Sequence, residues 1–216
     1  MSENIGLSFS YRDYLPGLSP EKENQLQQFK KLFLEWNEKI NLISRKDTEA
    51  FEIKHVLHSL SITRFIRFDD GARVLDLGTG GGFPGIPLAI CYPEVSFTLV
   101  DSIDKKMKAV KDMVEELDLQ NVRVVRGRAE ELTDSFDYVV SRAVAPMNDL
   151  VRWTRNQLKP GQKGSLPNGW VVLKGGDLKE ELSLFKKEVE LQRLREWWKD
   201  EFFETKVIVY LARQII

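Results

Sequence analysis

The chain holds a single cysteine, Cys91, among 216 residues, so an intrachain disulfide is impossible. It holds only two histidines, His55 and His58, with no cysteine or acid at ligand spacing, and this poverty argues against a metal centre. Long apolar runs are missing as well, since no stretch approaches the roughly 20 consecutive apolar residues of a membrane-spanning helix. Met1 to Ser10 lacks both the basic start and the apolar core of a signal peptide. A soluble, cytoplasmic protein without membrane or metal is the expectation. An excess of either charge is absent too, at a net −1, so composition alone offers no support for a nucleic-acid partner. There is no internal repeat or low-complexity tract, and a monomer is the default expectation for the oligomeric state.

What is present is a sizeable core, with 42% hydrophobic residues, and a clear change of pattern along the chain. Ser19-Pro20-Glu21 reads as an N-cap, a first-turn proline and a dipole-matched acid, and Leu26, Phe29, Phe33, Trp36 and Ile40 follow at three- and four-residue spacing. Asp47-Thr48-Glu49 opens a second amphipathic helix carrying Ile53, Val56, Leu57 and Leu60. Residues 1–68 are therefore expected to be a helical extension, and residues 69–216 a catalytic domain. From Arg73 short apolar runs alternate with helices: Arg73 to Leu77, Ser96 to Val100, Val122 to Arg126, Phe136 to Ser141 and Trp170 to Lys174. That alternation predicts an α/β fold with a doubly wound, mostly parallel sheet. Ser102 is expected to cap the helix with Met107, Val110, Val114 and Leu117, and Asp177 to cap another with Leu178, Leu182, Phe185 and Val189. Leu191 to Trp198 and Thr205 to Ala212 look like a closing antiparallel hairpin, with Trp197 and Trp198 packing on its strand. The predicted sheet thus has seven strands, with an antiparallel final strand.

The chemistry concentrates after the first strand, in Asp76-Leu77-Gly78-Thr79-Gly80-Gly81-Gly82-Phe83-Pro84-Gly85, before a short helix that Pro87 opens. Glycines here let a ligand approach the backbone at the carboxyl end of a strand, where doubly wound sheets bind ligands. Gly80, Gly82 and Gly85 satisfy the dinucleotide pattern, which alone does not separate a nicotinamide enzyme from a methyltransferase. An acid two residues before Gly78 resembles the class I methyltransferase signature, in which that carboxylate helps fix the loop and the methionine ammonium of S-adenosyl-L-methionine. Asp101 closes the second strand about 20 residues further on, where an acid meets ribose hydroxyls, and its other reading is a helix cap shared with Ser102. Gly127-Arg128-Ala129-Glu130-Glu131-Leu132 falls where methyltransferases hold the adenine, through the Ala129 and Glu130 backbone or the Glu130 carboxylate. The fourth strand ends in Ser141-Arg142-Ala143, at the acceptor edge. No Asn-Pro-Pro-Tyr-like tetrapeptide is present for exocyclic-nitrogen methylation, and Cys91 sits in a predicted helix rather than at a nucleophile's place. An acceptor with an accessible lone pair, such as guanine N7, needs little general base, so alignment and exclusion of water supply much of the rate. Arg142 then reads as a donor to guanine, as a group ordering the cofactor, or as a salt-bridging surface arginine. His55 and His58, three apart, share roughly one helical face and read as structural before catalytic.

These segments together resemble the glucose-inhibited division protein B family, bacterial methyltransferases of guanine N7 in small-subunit (16S) ribosomal RNA. The resemblance runs from about Leu26 to the C-terminus and rests on Trp36-Asn37 with Asn41-Leu42, Lys54-His55 with Ser59, Asp76 to Pro87, Asp101-Ser102, Ser141-Arg142-Ala143 and Leu173-Lys174-Gly175. It implies a class I Rossmann-like methyltransferase that uses S-adenosyl-L-methionine and acts on ribosomal RNA or the small ribosomal subunit. It also implies that Gly78, Phe83, Ala129, Glu130 and Arg142 contact the cofactor; Asp76, Gly80, Asp101 and Ser102 join them from the reading above, which also makes Arg142 the expected catalytic residue. The helical extension would then help grip RNA and cover the site. Two positions depart from the pattern: His58 stands where the family has an acid, and the basic residue near the start of the last strand is displaced to Lys206. Between Ile103 and Lys163 twelve bases face ten acids, and Lys105, Lys106, Arg123, Arg126, Arg128 and Arg142 are candidates for a local RNA patch. Two other functions compete: methylation of a small molecule or protein, and a cofactor-binding module that regulates a partner.

Overall fold

The computed structural model describes residues 9–185 and 188–215. Seven strands run β1 Arg73–Leu77, β2 Ser96–Asp101, β3 Val122–Arg126, β4 Tyr138–Arg142, β5 Gly169–Gly175, β6 Val189–Arg193 and β7 Lys206–Ala212. They form one sheet in the order β3-β2-β1-β4-β5-β7-β6, parallel from β3 through β5, with β7 antiparallel to both of its neighbours. The chain reverses its direction of winding between β1 and β4, which opens a crevice at the carboxyl ends of those strands. The register sets Leu77 beside Val100 and Ser141, Asp101 beside Arg126, and Arg142 beside Leu173. One edge of the sheet therefore carries every predicted site segment.

Alternation along the strands divides two cores. Val74, Phe97, Leu99, Val140 and Leu173 face one layer of helices, whereas Leu75, Leu77, Val100, Val139 and Val172 face the other. The first layer contains α1 Pro20–Ile40, a π-helical turn Glu52–Leu57 running into α3 His58–Phe65, α4 Gly85–Cys91 and α5 Asp104–Glu116, with a short α2 at Arg45–Thr48. The second layer holds α6 Met147–Thr154. Ser19 caps α1 as its sequence predicts, its hydroxyl accepting from the Lys22 amide with Pro20 at the first helical position. At the other end Asn41 takes the left-handed conformation, and buried Asn37 accepts from the Ile43 amide, turning the chain so that Leu42 comes against the glycine loop. No helix among the described residues is long and apolar enough to cross a membrane.

Four local expectations are corrected. Ser102 is not the cap of α5; Ile103 occupies that place, and the Asp101 carboxylate accepts the Ile103 amide proton instead. Asp177 opens no regular helix: residues 179–182 form turns, Ser183–Phe185 a 3-10 turn, and Val189 already begins β6. The closing strands do pair antiparallel, but β6 ends at Arg193. Trp197 and Trp198 lie beyond it in the connection, where Trp198 packs on Phe203 at 4.8 Å and Trp197 lies under the Arg64 guanidinium. Finally, His55 and His58 do not share a face. The wider π turn aims His55 at Phe51 and Phe83, and His58 at Phe202 and Phe203.

Candidate functional site

The loop after β1 is built by glycines whose backbone a side chain would not tolerate. Gly78, Gly80 and Gly82 have φ of 68°, 58° and 97°, in the left-handed region. The amides of Gly78 and Thr79 both donate to the Val100 carbonyl, at 2.8 and 3.0 Å, which ties the loop to the end of β2. Beneath it lies Asp76, fully buried. One of its oxygens accepts from the Thr79 hydroxyl at 2.6 Å and from the Gly85 amide at 2.8 Å, while the other is buried with no partner. Gly85 has no room for a Cβ, which would stand 2.6 Å from that carboxylate. Burial pushes the Asp76 carboxyl up to about 7, opposed by these two hydrogen bonds and by the Arg142 charge.

Asp101 extends the same lattice. Its two oxygens accept from the Gly80 and Ile103 amides, both at 3.0 Å, so it joins loop and helix. A carboxylate offers about four lone-pair sites, and two remain to meet a pair of vicinal hydroxyls. Around it opens a cleft of about 310 Å³ lined by Leu77, Gly78, Val100 to Ser102, Gly127 to Glu130, Val144 and Trp153. The Ala129 carbonyl already accepts from Gln157 and Leu132, so a base lying there would meet the N–H side of this segment or the Glu130 carboxylate. Roomier space, about 570 Å³, lies over β6 and β7. Its floor is aliphatic, from Leu178, Leu182, Val189, Leu191 and Val207. The smaller cleft combines a carboxylate, a glycine turn and open backbone at the switch point, and that donor set fits a nucleoside better.

Arg142 closes β4 one step away. Its guanidinium lies 4.6 Å over the Phe83 ring, donating to the Lys54 carbonyl at 3.2 Å and to His55 Nδ1 at 3.0 Å. An arginine only donates, so Nδ1 of His55 accepts and the ring is neutral with its proton on Nε2. Desolvation and then the Arg142 charge depress His55 to about 3. Desolvation lowers His58 well below its usual range as well. The Arg142 guanidinium is itself lowered to about 10 by burial and remains a cation, with part of the residue still exposed. Ser141 locks this end of β4, its hydroxyl donating to the Leu77 carbonyl at 2.8 Å.

Of the sequence-predicted residues, Gly78, Asp101, Ser102, Ala129 and Glu130 line the cleft, Gly80 hangs from Asp101, and Asp76 lies below the loop. Phe83 and Arg142 stack beside it under the π turn. Val144 and Trp153 also line the cleft and had no sequence signal, since an apolar residue after a motif and a tryptophan on an amphipathic helix both read as packing. The basic candidates do not gather. Arg123 pairs with Asp134, Arg126 with Asp104 and Arg128 with Glu130, leaving Lys105 and Lys106 at the start of α5. Among the described residues no group of three or more histidine, cysteine or acidic side chains is placed to hold a metal.

The model of the GidB family, rRNA small subunit methyltransferase G, matches residues 22–205. A ribosomal RNA small subunit methyltransferase G of Bacteroides fragilis is 48% identical over 92% of this chain and 97% of its own length. Its counterpart in Flavobacterium johnsoniae is 50% identical, over 92% and 94%. Among solved structures, Aeropyrum pernix fibrillarin in complex with natively bound S-adenosyl-L-methionine is similar in fold, at TM-score 0.52 and 18% identity, covering 67% of each chain.

Proposed function

The chain belongs to the GidB family, rRNA small subunit methyltransferase G, and from that premise we propose that it methylates N7 of a guanine in 16S ribosomal RNA, in the cytoplasm where that RNA resides. S-adenosyl-L-methionine supplies an electrophilic methyl group on its sulfonium. The Asp101 carboxylate would receive the ribose hydroxyls, the Ala129-Glu130 segment the adenine, and Gly78 and Gly80 the methionine portion beside the buried Asp76 carboxyl, whose ionised form the cofactor's ammonium favours. Ser102 borders the same cleft.

The observation that carries the acceptor chemistry is Arg142, a cation fixed by Phe83, Lys54 and His55 at the edge where an acceptor enters. An arginine held this way donates to guanine O6 and leaves the N7 lone pair free to attack, so no base is required. His55 cannot serve as one, because its accepting nitrogen is engaged by Arg142. A cysteine nucleophile is excluded by position: Cys91, the only one, ends α4 with its thiol pushed up to about 12 by burial.

Incubation with labelled S-adenosylmethionine and small ribosomal subunits or their RNA, followed by methyl mapping, tests the proposal. Label at guanine N7 is expected; label on protein or small molecules and never on RNA sinks it. Arg142→Lys, which loses the planar stacked fork, is expected to lower kcat on the order of 10²-fold while cofactor affinity changes little. A matching loss of cofactor affinity would move Arg142 from the acceptor to the cofactor.

A further inference from the structure

Between Arg142 and α6 the chain makes a short strap, Ala143 to Pro146, that the reaction scheme above leaves unused. Ala143 is one of three described non-glycine residues with positive φ, at 53°. Val144 follows it, 41% exposed although apolar, and its methyl groups occupy the space that a Cβ on Gly78 would need. It lines the cofactor cleft together with Trp153. Ala145, the next residue of the strap, packs against the second core. Charge fixes its backbone as well. The Lys174 ammonium, near the end of β5, donates to the Ala145 carbonyl and pairs with Glu181 at 2.8 Å. The same Glu181 oxygen accepts the Met147 amide at 2.8 Å, which anchors the start of α6.

Lys174 is turned inward, with its side chain 8% exposed, so it is not presented to solvent as a phosphate contact. A buried ion pair is a poor device for stability, because the cost of removing both charges from water offsets much of their attraction, whereas its geometry is specific. Here both partners hold backbone just after Val144, Lys174 at the Ala145 carbonyl and Glu181 at the Met147 amide.

We infer that the Lys174–Glu181 pair is a positioning clamp: it sets the strap from Ala143 to Pro146 and so places Val144 as the wall that shapes the methionine end of the cofactor cleft. The residues of the clamp act through Val144. The inference rests on the assignment of S-adenosylmethionine to this cleft.

The test measures S-adenosylmethionine affinity by titration calorimetry on the full chain. Glu181→Gln keeps an acceptor for Lys174 and Met147 but removes the charge, and it is expected to weaken binding about tenfold, with the KM for RNA at saturating cofactor unchanged. Lys174→Arg, which keeps the charge, restores most of the affinity relative to a Lys174→Met variant. Ala143→Gly relieves the left-handed strain and loosens the strap, so cofactor affinity falls while the melting temperature does not, a pairing that a purely structural role would not produce. In a Val144→Ala background the Glu181→Gln penalty disappears. Parental affinity in a folded Glu181→Gln variant, or a penalty that persists in full without Val144, overturns the clamp. Should Glu181→Gln fail to fold, Ala143→Gly decides alone, parental affinity there overturning the proposal. A parent protein that binds no S-adenosylmethionine defeats the cleft assignment itself.

Discussion

At the scale of single residues the site is a problem in buried charge. Asp76 is fully buried, it keeps one oxygen without a partner, and its carboxyl is raised to about 7. A group whose only task was to pin Thr79 and Gly85 would be better served by an amide, which accepts the same two hydrogen bonds without the cost of desolvating a charge. What an amide lacks is negative charge beneath the loop, where the ammonium end of the cofactor lies in our reading and where Arg142 brings a cation. Asp76→Asn therefore separates the two roles. The variant is expected to fold with a melting temperature equal to or above the parent's, and to bind S-adenosylmethionine roughly tenfold more weakly, about 1.4 kcal/mol. Unchanged affinity, measured by the same titration, would reduce Asp76 to a neutral fastener. The motif residues around it have similarly definite tasks: Ser141 ties β4 to β1, and Asn37 and Asn41 end α1 against the loop.

At the scale of elements, the N-terminal helices pack directly on the glycine loop. Phe29 and Phe33 of α1, Phe51 before the π turn and Phe83 of the loop form one aromatic cluster, with centroids 5.0 to 6.2 Å apart. A Cβ on Gly81 would stand 2.6 Å from the Phe33 ring, so α1 is the outer wall of the glycine loop. Phe33→Ala is expected to cost about 3–5 kcal/mol in urea unfolding and also to weaken cofactor binding, because the loop loses its backing. Loss of stability with wholly parental affinity would make the contact a matter of packing alone. These elements also show what could be read in advance. The Ser19-Pro20 cap, the alternating strands and the glycine loop are local signals, written in the spacing and chemistry of a few consecutive residues, and they were legible. The π turn was not, because its register is set by Arg142 reaching Lys54 and His55 from a strand almost ninety residues away. The broken segment after Asp177 was misread for a related reason: Glu181, at the centre of a good helical pattern, is drawn instead to Lys174 and Met147. Val144 had no local signal at all.

For the whole molecule, three buried groups set how stability responds to pH, and their signs oppose. His55 is depressed to about 3, and His58 lies well below its usual range, both by desolvation, so each is neutral in the fold and takes up a proton near 6.5 only on unfolding. Their contribution is present above about 6.5 and is lost as pH falls. Asp76 works the other way: with its folded value near 7 it holds a proton in the fold between about 4 and 7, and that favours the fold as pH falls. Between pH 4 and 6 the unfolded chain thus binds about two protons on the histidines against one on Asp76 in the fold, a net slope of about 1.4 kcal/mol per pH unit. Urea unfolding across that window should show stability falling toward acid at this rate. The carboxylates Asp47, Asp104 and Asp134, lowered by their hydrogen-bond partners, add their own losses only below about 4. His58→Leu provides the internal control, since leucine fills the space against Phe202 and Phe203 and carries no proton in either state. One histidine then balances Asp76, and stability becomes flat from about pH 4.5 to 6. A slope unchanged from the parent's would mean that His58 is protonated in the fold, in spite of Arg142 and Lys206 nearby.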